Sequence, residues 1–378
     1  MITIPFNKPH LAGNEFLYMA QAVESGHISG DGPFTMKCRD FLEKRYGVSR
    51  VLLTTSGTAA LEMAALLCRV GPGDEIILPS FTFVSTANAF VLRGASPVFV
   101  DIRPDTLNMD EAHVKDCIGP RTRVIVPVHY AGVGCEMDAL EELAKGCGAR
   151  IVEDAAHAID ARYRNRPLGT IGSLGAISFH ETKNISCGEG GALFINDSSF
   201  IERAEILREK GANRSKFFRG EVDKYTWVDI GSSYLLSDLQ AAYLLAQLER
   251  LESIAERRRR ISENYRQALA ALEEGGLLKL PVTPAHCQGN HHMFHLLLET
   301  EEARDGLLGF LKSRGILAVF HYLPLHLSPM GRTFGGREGQ LPVTESVSRR
   351  LVRLPFYNDL SSADQETVIR SVYAFFGR

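Results

Sequence analysis

Several features that mark special classes of protein are missing from this sequence. Its cysteines are odd in number, and no two have the CxxC spacing. Scattered thiols argue against a disulfide framework and favour a reducing, cytoplasmic environment. Four histidines crowd residues 286–295, but no cysteine or acid completes a zinc-finger spacing around them, so we expect no metal site.

Long apolar runs and a strong net charge are also missing. No uninterrupted apolar stretch reaches the roughly 18–20 residues that a membrane-spanning helix needs. The N-terminal sequence "MITIPFNKPH" lacks the basic-then-apolar pattern of a signal peptide. The formal net charge is −3, which predicts no general attraction to nucleic acid. We therefore expect a cytoplasmic protein that engages neither membranes nor nucleic acids.

What the sequence does contain is an alternation of short apolar runs and helical patterns. Strands are predicted over 75–79, 96–102, 123–130, 149–155, 175–180 and 190–196, and helices over 82–94, 110–119 and 137–148. Strands separated by helices of this length predict an α/β fold with a mostly parallel sheet covered on both faces.

The pattern changes near residue 237. Residues 237–272 contain no proline or glycine and predict one long helix, either straight or kinked. Beyond it, strands are predicted over 292–299 and 317–326, and helices over 303–315 and 362–376. We therefore expect a large domain, 1–245, and a smaller α+β C-terminal domain, 246–378, joined by the long helix.

Four segments of the larger domain contain candidate functional residues. The first lies at the start of a helix, and the second at the end of a strand. In "TTSGTAALEMAALL" a small polar turn opens into a helix, whose unpaired N–H groups would bind phosphate together with the hydroxyls of Ser56 and Thr58. The same residues also suit a plain helix cap. In "IVEDAAHA", Asp154 ends an apolar strand, where ligands of parallel sheets bind. Asp154 also suits a helix N-cap, and His157 a buried core histidine.

The other two segments are "GAISFHETKN" and "GEGG". Ser178 and Lys183 lie near the end of a strand, and the glycines after them permit close backbone approach. Taken alone, Lys183 is an ordinary solvated loop cation. A phosphate cradle, a strand-end acid and a strand-end lysine together suit pyridoxal phosphate (PLP), because lysine forms a Schiff base with its aldehyde and an acid keeps its ring nitrogen protonated. Phe83 is either the aromatic residue over the ring or a core phenylalanine.

These segments resemble the sugar aminotransferases of the DegT/DnrJ/EryC1/StrS family, within the fold type I, aspartate aminotransferase-like PLP enzymes. The resemblance is carried by "SGTAAL", "DEIILPSFTFVSTANA", "VEDAAHA", "SFHETKN", "GEGG", "SDLQAA" and "FHYLPLH". It implies that Lys183 bonds the cofactor and moves protons. It also implies that Asp154 pairs with the ring nitrogen, that His157 lies beside the ring and that Phe83 stacks on it. Gly57, Thr58 and Ser178 would hold the phosphate, with Ser56 nearby.

One segment departs from the family pattern. Many members have an asparagine and an arginine before the long helix, and the asparagine reaches the partner subunit's phosphate. Here Ser233 and Leu235 stand at those positions, so Ser233 would have to donate that hydrogen bond. The resemblance also implies a homodimer with active sites at its interface.

The resemblance further implies transfer of an amino group from L-glutamate to a nucleotide-linked keto sugar. The expected acceptor is the 4-keto group of dTDP-4-keto-6-deoxy-D-glucose, which would give a 4-amino-4,6-dideoxygalactose nucleotide. Other nucleotides, position C3 and the opposite stereochemistry stay open as alternatives. Further alternatives are a PLP-dependent sugar dehydratase, which the presence of Lys183 disfavours, and a non-catalytic PLP-binding regulator.

Overall fold

The computed structural model of the protein describes all 378 residues. Its α-helices are α1 Glu15–Glu24, α2 Pro33–Tyr46, α3 Gly57–Leu67, α4 Val84–Val91, α5 Glu111–Cys117, α6 Met137–Cys147, α7 Ile201–Arg208, α8 Arg214–Phe218, α9 Asp238–Leu248, α10 Leu251–Glu274, α11 Glu301–Ser313, α12 Pro329–Thr333, α13 Pro342–Arg350 and α14 Ser362–Phe375. Its strands are β1 Arg50–Thr54, β2 Glu75–Pro79, β3 Ser96–Val100, β4 Thr122–Ile125, β5 Arg150–Asp154, β6 Arg162–Tyr163, β7 Arg166–Pro167, β8 Leu174–Ser178, β9 Gly191–Ile195, β10 Leu278–Lys279, β11 Cys287–Gln288, β12 His295–Leu298 and β13 Leu351–Arg353. None of the helices combines the length and apolar character needed to span a bilayer.

The main sheet has seven strands in the order β1-β9-β8-β5-β4-β2-β3. Strand β9 pairs antiparallel with both neighbours, and the other six strands run in one direction. Successive residues of a strand enter different cores: Val51 and Leu53 pack on one face, and Leu52 packs on the other. Apolar side chains on both faces explain the continuous apolar runs of the sequence. The predicted mostly parallel, doubly covered sheet is confirmed.

The predicted long helix was wrong in one respect, because it is two helices. Helix α9 ends at Leu248 and α10 begins at Leu251, and Arg250 between them leaves helical geometry at φ −108° and ψ 11°. Leu248 and Leu251 are both buried in the same core. The break lets the almost wholly apolar α9 stay inside the large core while the amphipathic α10 leaves it.

The predicted strand over 317–326 does not form. Val319 makes a single bridge to Arg353, and the chain then runs on without a ladder. Pro324 has no N–H to donate, and the N–H of Leu325 bonds the carbonyl of Ser80 at the end of β2. This segment therefore spans from the C-terminal part of the chain to the edge of the main sheet.

The C-terminal part is built on an antiparallel sheet in the order β10-β12-β13. Helices α10, α11 and α14 contribute to its separate apolar core. Ile4 joins that core and forms a parallel bridge with Ile316, so the start of the chain packs on its C-terminal part. The boundary between residues 245 and 246 stays a prediction.

Candidate active site

A cavity of about 600 Å³ opens at the carboxyl edge of the main sheet. Parallel strands place their carboxyl ends, and the loops that follow them, along one such edge. The cavity is lined by eight of the nine residues singled out in the sequence: Ser56, Gly57, Thr58, Phe83, Asp154, His157, Ser178 and Lys183. They lie at the ends of β1, β2, β5 and β8 or in the loops that follow, so four separate strand ends converge on one site.

The turn between β1 and α3 forms one end of the cavity. Ser56 caps α3, because its Oγ accepts the N–H of Ala59 at 3.0 Å. The hydroxyl of Thr58 donates to Ser85 Oγ at 2.8 Å, and Ser178 lies alongside. The first N–H groups of a helix have no partner within it and carry the positive end of its dipole. The turn therefore presents hydroxyls and backbone donors to an anion.

Close packing of glycines holds this turn against the sheet. A Cβ on Gly191 would lie 2.4 Å from the Ser56 carbonyl carbon and 2.5 Å from the Gly57 nitrogen. A Cβ on Gly57 would lie 3.0 Å from that of Ser178. Gly191 of the "GEGG" segment is thus needed because the backbone of β9 passes directly beneath the turn.

Asp154 is the buried last residue of β5. Its Oδ2 accepts the hydroxyl of Thr86 at 2.7 Å, and Thr86 Oγ1 is 2.8 Å from Thr82 Oγ1. Its Oδ1 accepts the N–H of Ala156 at 3.2 Å. These contacts fix the orientation of a carboxylate that has no cationic side chain within ion-pair distance.

Lys183 lies five residues beyond the end of β8, in a turn closed by its own N–H and the carbonyl of His180. Its ammonium forms no hydrogen bond or ion pair. Burial lowers the pKa of Lys183 from 10.5 to about 8; the charge of Asp154 opposes this change and that of Arg353 adds to it. Near neutral pH a useful fraction of this amine is therefore unprotonated and nucleophilic.

Three histidines stack along one wall. The ring of His157 lies 4.3 Å from that of His292, at an interplanar angle of 22°, and 6.3 Å from that of His321. Burial holds the pKa of each of the three well below 6.5, and the nearby charges of Lys183 and Arg353 add to this effect. The wall is therefore neutral at physiological pH and offers hydrogen bonds rather than charge.

Aromatic rings close the cavity on another side. Phe83 caps α4 with its side chain 57% exposed, and its ring centroid lies 6.5 Å from that of Tyr322. Phe83 is thus a cavity residue, and its alternative reading as a core phenylalanine was wrong. The predicted segment "HYLPLH" supplies His321 and Tyr322 to the same cavity.

Two further cavity residues escaped sequence reasoning. Thr86, which orients Asp154, stands within the quoted segment "TFVSTANA" but carries no signal beyond a helical position. Arg353 comes from β13, and its only sequence signal is a single cation in the apolar run "LVRLPF". Both residues act through partners distant in the chain, which no local pattern reveals.

Ser233 alone of the predicted residues lies away from the cavity. It is exposed and pairs with Glu209 in an isolated bridge. It is not among the residues that line the cavity. Its role toward a partner subunit stays a prediction.

The arrangement of anion cradle, oriented acid and deprotonatable lysine agrees with what known proteins show. A model of the DegT/DnrJ/EryC1/StrS aminotransferase family matches residues 9–373. The chain belongs to this family. Members use PLP, so the protein is a PLP-dependent aminotransferase.

Individual relatives of this aminotransferase extend over most of its length. The pleiotropic regulatory protein of Geobacillus stearothermophilus is 35% identical over 85% of this chain and 83% of its own. The crystal structure of S. venezuelae DesV, in complex with a ketimine intermediate, is 34% identical over the full length of both chains, with a TM-score of 0.90. The putative sugar aminotransferase Spr1654 of Streptococcus pneumoniae, in its PMP-form, is 26% identical over 99% of each chain, with a TM-score of 0.92.

The cavity residues of the aminotransferase fit PLP. No carboxylate of the chain accepts a hydrogen bond from the α3 turn, and the buried Nδ1 of His157 has no hydrogen-bond partner in the chain. The Asp154 carboxylate likewise has no cationic partner in the chain, and the protonated ring nitrogen of PLP would supply one. The fold type I architecture predicted from the sequence is confirmed.

Proposed function

We propose that the protein transfers an amino group from L-glutamate to the 4-keto group of dTDP-4-keto-6-deoxy-D-glucose. The product would be dTDP-4-amino-4,6-dideoxy-D-galactose, for synthesis of a cell-surface polysaccharide of the enterobacterial common antigen type. The observation that carries amine transfer is that Lys183, Asp154 and the α3 turn share one cavity. The choice of sugar is supported by the segments "SFHETKN", "EKGANRSKFFRGEVDKYTW" and "DIGSSYLLSDLQAA", which resemble dTDP-4-amino-4,6-dideoxygalactose transaminase.

In this proposal each residue has a separate task. Ser178, Thr58 and the first N–H groups of α3 bind the phosphate, and Phe83 covers the ring. Asp154, held by Thr86, stabilises a proton on the ring nitrogen by a charge-assisted hydrogen bond, worth roughly 1.5–3 kcal/mol. When bound, PLP withdraws electrons from the amine-bearing carbon of the substrate.

Lys183 is the proton carrier of the proposed reaction. Its Nζ would hold the cofactor covalently between turnovers. Once released, it would take the proton from the amine-bearing carbon of L-glutamate and, in the second half-reaction, would give a proton to the sugar carbon that gains the amine. A pKa of about 8 suits this task, because both protonation states of the amine are then available near neutral pH. Positioned acid–base groups of this kind contribute typically ~10²–10⁴-fold to a rate.

The substrate is tested by incubating the holoenzyme with L-glutamate and a panel of 3-keto and 4-keto nucleotide sugars. The product's position and configuration are then assigned by NMR. We expect turnover of dTDP-4-keto-6-deoxy-D-glucose to the galacto-configured 4-amine. No turnover of this sugar, with turnover of another, would overturn the choice of substrate and leave amine transfer standing.

We further propose that the active enzyme is a homodimer whose sites lie at the subunit interface. Support comes from an exposed apolar surface beside Ser233. Its side chains include Phe218, Tyr225, Trp227, Val228 and Ile230, and that of Trp227 is 78% exposed. Exposed apolar surface of this kind is typical of an interaction site. Sedimentation equilibrium should give twice the monomer mass, and a monomer with full activity would contradict the proposal.

A regulatory role is the second candidate, because the relative from Geobacillus stearothermophilus is named a pleiotropic regulatory protein. A regulator that only binds PLP needs no free lysine beside an oriented acid. The two roles separate in the visible spectrum of the holoenzyme. An aminotransferase loses its visible absorbance when L-glutamate alone is added, whereas a non-catalytic binder keeps it.

A further inference from the structure

His292 is a cavity residue whose tautomer is fixed by the chain around it. The amide nitrogen of Asn184 donates to the carbonyl of Asn290 at 2.9 Å, so its amide oxygen is the atom that faces His292 Nδ1, also at 2.9 Å. An amide oxygen only accepts hydrogen bonds, and the Nδ1 of His292 therefore carries the proton. Burial holds the pKa of His292 well below 6.5, so the ring is neutral and its Nε2 is an unprotonated acceptor.

The backbone that carries His292 is strained and held in place by a buried arginine. His291 has the left-handed φ of 52°, which is unfavourable for a residue with a Cβ. Arg258 of α10, only 4% exposed, donates from Nε to the carbonyl of His291 at 3.1 Å and from Nη2 to that of His292 at 2.6 Å. Strain that the surrounding structure maintains in this way is concentrated at functional sites.

The unprotonated nitrogen of His292 belongs to the reactive part of the cavity. The ring lines the cavity and stacks on that of His157 at 4.3 Å, and no group of the chain donates a hydrogen bond to Nε2. Asn184, which sets the tautomer, directly follows Lys183, and the charge of Lys183 acts on the His292 ring. A lone pair disfavours a carboxylate or a keto oxygen and favours a hydroxyl group. The site therefore suits a hydrogen-bond donor beside the reacting carbon.

The two substrates of the proposed reaction differ in the donors that they bring to this position. Next to its reacting carbon L-glutamate has only the ammonium nitrogen as a donor, and that nitrogen is the atom transferred. The sugar has its keto group at C4 and a hydroxyl on C3, whereas C5 carries the C6 methyl group and no hydroxyl. The C3 hydroxyl is thus the donor that matches an acceptor at His292.

We propose that His292 accepts a hydrogen bond from the hydroxyl on the carbon next to the keto carbon of the sugar. The proposal rests on the proposed transamination and assigns a recognition residue to its second half-reaction. Asn184 is a positioning residue, because it acts on the sugar only through the tautomer of His292. The enzyme then selects keto sugars that keep this hydroxyl.

The test separates the two half-reactions in the variant His292→Phe, which keeps a flat ring and removes both nitrogens. His286→Phe is the matched control, because His286 lies outside the cavity, where its Nε2 is 3.0 Å from Glu136. Stopped-flow absorbance follows the holoenzyme with L-glutamate and, separately, the aminated holoenzyme with dTDP-4-keto-6-deoxy-D-glucose or its 3-deoxy analogue. Melting temperature and PLP content of each variant are measured first.

We expect His292→Phe to lower the second-order rate constant for the parent sugar by about tenfold or more, because a buried hydroxyl is left without an acceptor. The 3-deoxy analogue and L-glutamate should each react within about threefold of the wild type, and His286→Phe should match the wild type throughout. No loss with the parent sugar, or an equal loss with L-glutamate or with the 3-deoxy analogue, would overturn the assignment. If the wild type aminates neither sugar, the proposed function fails and the assignment fails with it.

A second variant tests the tautomer. In ¹⁵N NMR of the wild-type apoenzyme, the signal that disappears in His292→Phe should be that of an unprotonated Nε2. Asn184→Asp places a carboxylate against Nδ1 and raises the pKa of His292, so Nε2 gains a proton as the pH falls and becomes a donor. The other titratable groups that act on His292 are unchanged in this variant; they are His157, Lys183, Arg258 and Arg353.

The rate of Asn184→Asp relative to the wild type should therefore decrease from pH 8 to pH 6 with the parent sugar and stay constant with the 3-deoxy analogue. A protonated Nε2 in the wild-type apoenzyme, or a relative rate with the parent sugar that does not depend on pH, would contradict the proposal.

Discussion

The lowered pKa of Lys183 makes the rate of cofactor capture depend on pH in a defined way. Only the neutral amine attacks an aldehyde, so the rate at which the apoenzyme bonds PLP follows the deprotonated fraction of Lys183. A pKa of about 8 leaves about 10% of the amine neutral at pH 7, whereas the ordinary value of 10.5 leaves about 0.03%. The site therefore offers roughly 300-fold more nucleophile at neutral pH than a surface lysine does.

The assay is stopped-flow absorbance of apoenzyme mixed with PLP between pH 6.5 and 10. We expect the rate to rise about tenfold per pH unit at first and to level off above about pH 8. Free Nα-acetyl-lysine is the control and should keep rising toward pH 10. A protein rate that also keeps rising to pH 10 would refute the argument that burial deprotonates Lys183.

Two variants then test how the neighbouring charges act on the pKa of Lys183. Asp154→Asn removes the negative charge that favours the ammonium, so the midpoint should fall below pH 8. Arg353→Met removes a repelling positive charge, so the midpoint should rise. Midpoints that move in the opposite directions would show that neighbouring charges do not act on Lys183 as the structure indicates.

Three further predictions concern the residues that hold the site together. Thr86→Val should weaken PLP binding about tenfold or more, measured by titration of the apoenzyme, because Asp154 loses its 2.7 Å donor; unchanged affinity would contradict this role. Gly191→Ala should lower both the melting temperature and PLP affinity, because a Cβ there would lie 2.4 Å from the Ser56 carbonyl carbon. The control is Gly146→Ala, where an added Cβ has no atom within 4 Å; this change should be neutral or stabilising by about 0.5–1 kcal/mol. Glu153→Gln should reduce the free energy of unfolding by about 3 kcal/mol or more in urea titrations. The reason is that the buried carboxylate accepts hydrogen bonds from the N–H groups of Gly169, Ile171 and Gly172 and contacts His129. A loss below about 1 kcal/mol would be inconsistent with that network.

The parts of the fold that follow from local pattern were predictable. Strands buried on both faces are mostly apolar, so β2 and β3 stand out in the sequence. Asp154 and Ser178 end their strands, and parallel strands bring such ends to one edge. For this reason the sequence alone predicts that the acid, the lysine and the phosphate turn share one site.

The features that depend on distant partners were not predictable in this way. The break between α9 and α10 has neither proline nor glycine, and it follows from keeping Leu248 and Leu251 in one core. Residues 317–326 have the composition of a strand, yet only Val319 pairs with the edge of β13, and the chain then leaves for the main sheet. The placement of Arg353 depends on Phe6, 347 residues earlier in the chain, and on His321, so it is a property of the tertiary structure.

The central claim is that Lys183 is the residue that bonds PLP and carries out the transfer. Its most direct test is to reduce the holoenzyme with borohydride, digest it and locate the attached cofactor by mass spectrometry. We predict one modified peptide, containing Lys183, and loss of that modification when L-glutamate is added before reduction. A modification on any other lysine, or one that L-glutamate does not remove, would contradict the claim.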